Sequence, residues 1–164
     1  MNREILCLYY SRTGKTKTAT EEIALALDCE CVELRDRVDR SGLIGWLRCG
    51  LDAIRKRTRA TEPVKTERAL SSYRLVIVGT PVWAGRCSSV VRSFLKRHGD
   101  EIENTAYVIT HKGPELYKEV YRQMDFYVKK PHVADVSLRP GDTGYLYWQD
   151  QFIKNVAEFA GVEI

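Results

Sequence analysis

Five short apolar runs alternate with helical patterns along this chain, and the alternation restricts the fold more than any other feature. The runs cover residues 5–10, 31–34, 75–78, 106–109 and 133–138. Strands that alternate with helices form parallel sheets, and the helices cover both faces of such sheets. The pattern therefore predicts an α/β fold built around a five-stranded parallel sheet.

Helical patterns follow the first, third, fourth and fifth runs. In each of them apolar residues recur at spacings of three or four, which is typical of a helix that buries one face. The periodic positions are Ala19, Ile23, Ala24 and Leu27, then Val90, Phe94 and Leu95, then Leu116, Val120, Met124 and Tyr127, and finally Trp148, Phe152, Val156 and Phe159. We expect these faces to pack against the sheet.

Length and composition indicate a single domain spanning residues 1–164. With 164 residues, 44% of them hydrophobic, the chain has enough material for a full core. No apolar stretch reaches the roughly 20 residues that cross a bilayer, and the opening Met-Asn-Arg-Glu is unlike a signal peptide. Five cysteines without metal-type spacing indicate reduced thiols and no metal site. We therefore expect a cytoplasmic protein, with Cys7 as a small core residue.

The loop between the first strand and the first helix has the features of an anion site. Residues 9–16 read Tyr-Tyr-Ser-Arg-Thr-Gly-Lys-Thr. A helix start directs free backbone N–H groups and the positive end of the helix dipole at one point. Ser11, Thr13 and Thr16 add hydroxyl donors, and Gly14 permits close approach of the backbone. The loop predicts phosphate binding, and an ordinary polar turn remains the alternative.

Four better-known phosphate motifs do not fit this loop. The Gly-Lys-Thr of residues 14–16 ends like a nucleoside-triphosphatase loop, but the glycine required five positions earlier is Tyr9. A dinucleotide fingerprint needs three glycines, and one is present. A Cys-x5-Arg phosphatase needs five residues between Cys7 and Arg12, where there are four. Ser11 and Arg12 stand where a response regulator has acidic residues.

Two further loops follow the third and fourth strands, at the edge where open α/β sheets bind ligands. Residues 80–86, Thr-Pro-Val-Trp-Ala-Gly-Arg, surround Trp83 with small neighbours, and residues 110–113 read Thr-His-Lys-Gly. A loop tryptophan either packs on its own helix or stacks on a ligand. The neighbouring phosphate loop favours stacking, and the combination suits a flat ring with a phosphorylated tail.

At these loops the chain resembles the flavodoxin family. The matching residues of the first segment are Leu8, Tyr9, Ser11, Gly14, Thr16 and Ile23. Residues 76–86, Val-Ile-Val-Gly-Thr-Pro-Val-Trp-Ala-Gly-Arg, form the more specific match. The resemblance covers nearly the whole chain. It implies a three-layer α/β/α sandwich with the flavodoxin-like strand order 2-1-3-4-5, and it implies FMN as the cofactor.

The resemblance also implies which residues hold FMN. Its phosphate would be bound by Ser11, Arg12, Thr13, Gly14, Lys15 and Thr16. Its isoalloxazine ring would be lined by Thr80, Pro81, Val82, Trp83, Ala84 and Gly85, and the third loop would contribute Thr110, His111, Lys112 and Gly113. We expect His111 and Lys112 to bring positive charge close to the ring.

The sequence departs from the family pattern at three places. Cys7 replaces an aliphatic residue, and Thr20 replaces an alanine. The Gly-Asp-x-x-Tyr type segment, which stacks on the outer face of FMN in many flavodoxins, is missing from the third loop. Tyr117 is the candidate substitute.

Residues 35–62 form an extended basic connection with an amphipathic helix. Its apolar residues at helical spacing are Leu43, Trp46, Leu47, Gly50, Leu51 and Ile54. Residues 35–59 contain eight Lys or Arg and three Asp or Glu, a balance of +5 against +4 for the whole chain. The helix could pack inward with a solvated basic face, dock an acidic partner, cover the flavin and attract an anionic substrate, or contact a membrane surface. No nucleic-acid motif accompanies the charge, so we expect no nucleic-acid partner.

Two functions remain open. The chain could be an FMN-binding electron-transfer protein with redox partner proteins. Alternatively it could be an FMN-dependent oxidoreductase that takes hydride from NAD(P)H and passes electrons to a quinone-like acceptor, or a protoporphyrinogen-oxidase-like enzyme. Carrier flavodoxins tend to be acidic, whereas this chain is basic, which favours an unconventional carrier or an enzyme. No residue is assigned a catalytic role.

Overall fold

The computed structural model describes residues 2–35, 42–55 and 62–164. The strands of this part are β1 (Asn2–Tyr9), β2 (Cys29–Glu33), β3 (Leu75–Trp83), β4 (Arg86–Cys87), β5 (Thr105–Thr110) and β6 (Ala134–Leu138). The helices are α1 (Lys15–Ala26), α2 (Gly42–Ile54), α3 (Ser89–His98), α4 (Lys118–Val128) and α5 (Tyr145–Ala160). Single 3-10 turns at Leu70–Ser72 and Gly99–Glu101 precede β3 and β5.

The sheet has the order β2-β1-β3-β5-β6, and all neighbouring strands in this path are parallel. With the parallel strands alone counted, this is the order 2-1-3-4-5, so the predicted topology is confirmed. The short β4 pairs antiparallel with the end of β3. After β1 the chain adds β2 on one side and β3 on the other. The crevice between the carboxyl ends of β1 and β3 is therefore the topological switch point, where open α/β sheets bind ligands.

Helices cover both faces of the sheet, which makes three layers. Residues of α1 and α5 pack with one face of the strands, and residues of α3 and α4 pack with the other. The central strands are consequently apolar on both sides, and Cys7 is fully buried in β1, as predicted.

Two residues that were predicted to lie on buried helix faces, Leu116 and Trp148, are exposed instead. Leu116 precedes α4 and is 60% exposed, and Trp148 in α5 is 57% exposed. The inward face of α5 begins at the partly buried Tyr145, passes through Gln149 rather than Trp148, and continues through Phe152 and Val156. A spacing of three or four residues before Phe152 fits either Trp148 or Gln149. The packing of α5 against the sheet places Gln149, and not Trp148, on the buried side.

The basic connection contains α2, whose buried side chains, in the part that the structure describes, are the small Cys49 and the polar Asp52. Cys49 and Asp52 are each 2% exposed, whereas the leucines of the predicted apolar stripe are not buried. The buried Arg92 of α3 donates hydrogen bonds of 3.2 Å to the carbonyls of Asp52 and Cys87, which joins α2 to α3 and β4. The side chain of Trp46, part of the predicted stripe, lies outside the described residues, as do residues 36–41 and 56–61.

Within the described ranges, none of the helices combines the length and the apolar character needed to span a bilayer. The same ranges hold no group of three His, Cys, Asp or Glu side chains with metal-binding geometry.

Candidate functional site

The phosphate loop predicted from sequence ends at a left-handed glycine. Gly14 has φ 87° and caps α1, a backbone conformation that other residues adopt only at a cost. Among the described residues, no side chain caps the helix start, and its first turn, Lys-Thr-Lys-Thr, contains no carboxylate. The first N–H groups of α1 and the positive end of its dipole are therefore left for an anion.

Two side chains of the same loop, Ser11 and Arg12, make hydrogen bonds that organise it. Ser11 Oγ accepts a 3.0 Å hydrogen bond from the Gly14 N–H, which closes the turn and leaves the Ser11 hydroxyl hydrogen for another acceptor. Thr13 and Lys15 are exposed. The half-buried Arg12 donates from Nη2 to the Gly42 carbonyl at 3.1 Å, so its charge lies between the loop and the start of α2.

Thr16 connects the first loop to the third. Its Oγ1 lies 2.7 Å from Thr110 Oγ1, and the two residues are 1% and 4% exposed. One hydroxyl hydrogen lies between the oxygens, so the pair keeps one hydrogen to donate elsewhere. This bond fixes the start of α1 against the end of β5.

A glycine in β3 allows α1 to approach the sheet closely. A Cβ atom at Gly79 would lie 2.3 Å from Thr20 Oγ1 and 3.0 Å from Tyr9 Cβ. Thr20 Oγ1 is buried, and no hydrogen-bond partner for it occurs among the described residues. Thr20, which replaces the alanine of the family pattern, therefore packs against Gly79, a strand residue that has no side chain.

The second loop is a tight hairpin between β3 and β4. Trp83 pairs with Arg86, and both residues between them have positive φ, 48° for Ala84 and 69° for Gly85. Two consecutive positive φ values are the signature of the two-residue hairpin turn whose twist matches its strands. At the base of this loop, the buried Thr80 accepts a 3.0 Å bond from the Ser88 N–H.

Trp83 stands at the edge of this hairpin, half-buried, beside the half-buried Pro81 and Val82. Its ring meets that of Tyr10 edge to face, with centroids 5.5 Å apart and planes at 86°. Tyr10 was not among the residues predicted for the site. Its position directly after β1 is the only signal in the sequence that could have included it.

The third loop is organised by His111. Its Nδ1 lies 2.8 Å from the Gly113 carbonyl, and its Nε2 lies 2.8 Å from Ser137 Oγ. Because a carbonyl only accepts, Nδ1 carries the hydrogen, and in the neutral ring Nε2 accepts from the Ser137 hydroxyl. Ser137 lies 26 residues away in β6, so no local sequence signal could indicate this contact.

Burial lowers the pKa of His111 below its ordinary value of 6.5. The ring is therefore neutral at neutral pH, and the expectation that His111 brings positive charge to the site is wrong. The cause is desolvation, which disfavours the charged imidazolium. Lys112, next along the loop, is exposed.

Tyr117 packs onto this loop from the start of α4. Its ring centroid lies 4.9 Å from that of His111, and a Cβ at Gly113 would meet its hydroxyl at 2.3 Å. Tyr117 has φ 49°, an uncommon backbone conformation for a tyrosine. Its ring thus covers Gly113 and His111.

The three-layer architecture and strand order define a flavodoxin-like fold. Solved structures with the same fold support this assignment. The chain is similar to a flavoprotein from Lactobacillus acidophilus in complex with FMN, at 20% identity and TM-score 0.67, over 90% of this chain and 99% of that one. It is similar to a putative flavoprotein from Bacteroides eggerthii, at 16% identity and TM-score 0.73, over 99% and 100%.

A third similar structure is the two-electron reduced flavodoxin of Megasphaera elsdenii, at 14% identity and TM-score 0.55, over 95% of this chain and 97% of that one. No protein-family model and no curated protein sequence matches the chain.

Proposed function

We propose that the chain binds FMN at the carboxyl edge of its sheet and works as a flavodoxin-like electron-transfer protein. The observation that carries the proposal is that the uncapped start of α1 lies next to the hydrogen-bonded hydroxyls of Thr16 and Thr110. The Gly14 turn and the Thr16–Thr110 pair lie at the ends of β1 and β5, on either side of the loop that carries Trp83. The FMN complex of the Lactobacillus acidophilus flavoprotein, on the same fold, supports the choice of ligand.

The phosphate of FMN fits the first loop by the chemistry of its donors. In this proposal the backbone N–H groups of α1, the Ser11 and Thr13 hydroxyls and the spare hydrogen of the Thr16–Thr110 pair donate to it. Hydrogen bonds to a charged acceptor contribute about 1.5–3 kcal/mol each. Arg12 and Lys15 add positive charge, Arg12 from its position beside the Gly42 carbonyl.

The isoalloxazine ring belongs, in the same proposal, against the second loop. Trp83 offers an aromatic surface that Tyr10 supports from the side, and Pro81, Val82, Ala84 and Gly85 complete the lining. When bound, FMN supplies the redox chemistry, and the protein orients the ring and excludes water from it. The neutral His111 orders the third loop, with Thr110, Lys112 and Gly113, through its bonds to Gly113 and Ser137.

A direct test is a titration of the apo protein with FMN, followed by the fluorescence of the flavin. The proposal requires saturable binding of one FMN per chain. It also requires that Gly14→Val, which places a β-branched residue at φ 87°, weakens binding. Failure of the folded apo protein to bind FMN would contradict the proposal.

The charge of the chain favours a second candidate, an FMN-dependent oxidoreductase that uses NAD(P)H. The chain is basic, at +4, and Lys15 and Lys112 are exposed in two of the site loops, where they would attract the phosphates of a dinucleotide. Anaerobic mixing of the FMN-loaded protein with NADPH and then with NADH separates the two functions. Rapid loss of the flavin absorbance indicates the reductase, and its absence indicates the carrier.

A further inference from the structure

Helix α2 directs its large aliphatic side chains into solvent. The exposed fractions are 74% for Leu43, 76% for Ile44, 51% for Leu47, 49% for Leu51 and 59% for Ile54. Among the α2 positions whose burial the structure describes, Gly45, Cys49 and Asp52 are buried. A surface helix normally has the opposite orientation, with the apolar stripe against the core.

The packing of α2 holds this orientation in place. Asp52 and Arg92 are each 2% exposed, and the guanidinium of Arg92 donates to the carbonyls of Asp52 and Cys87. Rotation of α2 to bury its aliphatic side would remove the Asp52 carbonyl from the buried Arg92 guanidinium, and the loss of a hydrogen bond by a buried charged donor is costly. The contact with Arg92 therefore favours the orientation in which the aliphatic stripe is exposed.

The stripe forms one wall of a groove of about 400 Å³. Leu47, Gly50, Leu51 and Ile54 line it from α2, and the hairpin lines it from the other side with Val82, Trp83 and Ala84. Trp83 thus belongs both to this groove and to the proposed FMN site. Whatever occupies the groove lies beside the residue that would carry the flavin ring.

The spacing of the exposed aliphatic residues matches that of a helix-packing seam. Ile44, Leu47, Leu51 and Ile54 are separated by three, four and three residues, the spacing of knobs between packed helices. A groove with such anchors along one wall suits an amphipathic helix laid into it.

The charges beside the seam select the kind of helix. Arg48 and Arg55 are exposed and follow Leu47 and Ile54 directly, while Asp52, the one acidic residue of 42–55, is buried. A second copy packed symmetrically would bring arginine towards arginine, which is unfavourable. A flat bilayer would meet the outermost side chains without filling a groove whose walls include the half-buried Val82 and Trp83. An amphipathic helix with acidic flanks would pack its apolar side on the seam and place its carboxylates near Arg48 and Arg55.

We propose that the groove between α2 and the β3–β4 hairpin docks an acidic amphipathic helix of a redox partner protein. The docked helix lies against Leu47, Leu51 and Trp83, with its carboxylates towards Arg48 and Arg55. The partner thereby approaches the flavin from the α2 side. The inference rests on the proposed FMN-dependent electron transfer for its purpose, but the docking surface itself is independent of the cofactor.

The test uses two synthetic helical peptides with the same leucine seam, one flanked by glutamates and one by lysines. Binding is followed by the fluorescence anisotropy of a labelled peptide, with apo and with FMN-loaded protein. We expect the glutamate peptide to bind about tenfold more tightly than the lysine peptide at low salt, and the preference to shrink as salt rises.

Two variants locate the surface. Leu47→Ser combined with Leu51→Ser should lower the affinity for the glutamate peptide by about tenfold or more. Arg48→Glu combined with Arg55→Glu should reverse the preference between the peptides. The matched controls are Leu25→Ser, at a leucine 83% exposed on α1, and Arg122→Glu, at an arginine 79% exposed on α4, and both should bind as the wild type does.

Three outcomes would overturn the inference. The first is that the two peptides bind equally well or not at all. The second is that the protein binds phosphatidylserine vesicles instead of the peptides, and that the leucine variant abolishes vesicle binding. The third is that the protein sediments as a dimer, which the same variant dissociates. Because the peptides are tested with apo protein as well, a failure of FMN binding leaves this readout intact. The two proposals can therefore fail separately.

Discussion

The hydroxyl oxygens of Thr16 and Thr110 lie 2.7 Å apart in the interior, although 94 residues separate them in the sequence. The bond joins the start of α1 to the end of β5, and so it links the loop proposed for the phosphate to the third loop. The parallel register brings these ends together, since Tyr9 of β1 pairs with Gly79 and Pro81 of the same strand β3 pairs with Thr110.

Replacement of Thr110 by valine should therefore affect both folding and ligand binding. The buried hydroxyl of Thr16 loses its partner, which lowers the free energy of unfolding by about 1–3 kcal/mol. FMN should bind about tenfold more weakly, because the pair no longer holds the Thr16 donor in place. Urea denaturation and FMN titration measure the two effects. Thr143→Val, at an exposed threonine just before α5 and outside the three loops, is the matched control and should leave FMN affinity unchanged.

Trp83 should report FMN binding directly. In a background with Trp46→Phe and Trp148→Phe, the remaining indole fluorescence should be strongly quenched as FMN binds. Trp83→Ala should lower the affinity for FMN. Loss of stacking alone should account for a factor of up to about ten, since stacking contributes about 0.5–1.5 kcal/mol beyond the burial of contact area. Trp148→Ala, at a tryptophan 57% exposed, should not change the affinity. If Trp83→Ala unfolds the chain while the folded fraction binds FMN normally, Trp83 is a core residue instead.

Gly79→Ala should destabilise the fold by about 1–3 kcal/mol, the usual range for overpacking. The added methyl group would lie 2.3 Å from Thr20 Oγ1. Thr20→Ala in the same chain removes that contact and should restore part of the loss, while the 3.0 Å approach to Tyr9 Cβ remains. Gly50→Ala, where a Cβ meets nothing within 4 Å in α2, is the matched control and should be neutral or stabilising. Equal destabilisation of the single and double variants would contradict the packing described here.

The neutral His111 makes stability depend on pH. Below the ordinary value of 6.5, the unfolded chain protonates this histidine while the folded chain keeps it neutral. The unfolded state then binds more protons, so the free energy of unfolding should fall as pH decreases through 6.5 towards the lower folded pKa. Denaturation of wild type and His111→Gln from about pH 8 to about pH 5 isolates the effect, because the other histidines are common to both. Parallel curves for the two proteins would show that His111 is not the source.

The apolar runs predicted the parallel sheet, and the resemblance to the flavodoxin family predicted its strand order, but neither predicted the short β4. Short, continuous apolar runs such as 75–78 indicate buried parallel strands, because both faces of such strands are covered. The hairpin that follows contains Ala84 at φ 48°, and alanine gives no signal for a left-handed turn. The turn forms because Trp83 and Arg86 pair across it.

The orientation of α2 and the state of His111 could not be derived from sequence for the same reason. Both depend on contacts made over long distances along the chain. Arg92 fixes which side of α2 faces inward, and burial with Ser137 fixes the neutral ring of His111. Periodicity locates an apolar stripe, but it does not say whether the stripe faces the core or a partner.

The central claim is that the Gly14 turn and its hydroxyls hold the phosphate of FMN. Riboflavin has the same ring and ribityl chain without the phosphate, so titration of the apo protein with both flavins tests the claim most directly. With several hydrogen bonds of about 1.5–3 kcal/mol each directed at the phosphate, FMN should bind at least about 100-fold more tightly than riboflavin. Equal affinities for FMN and riboflavin would contradict the account.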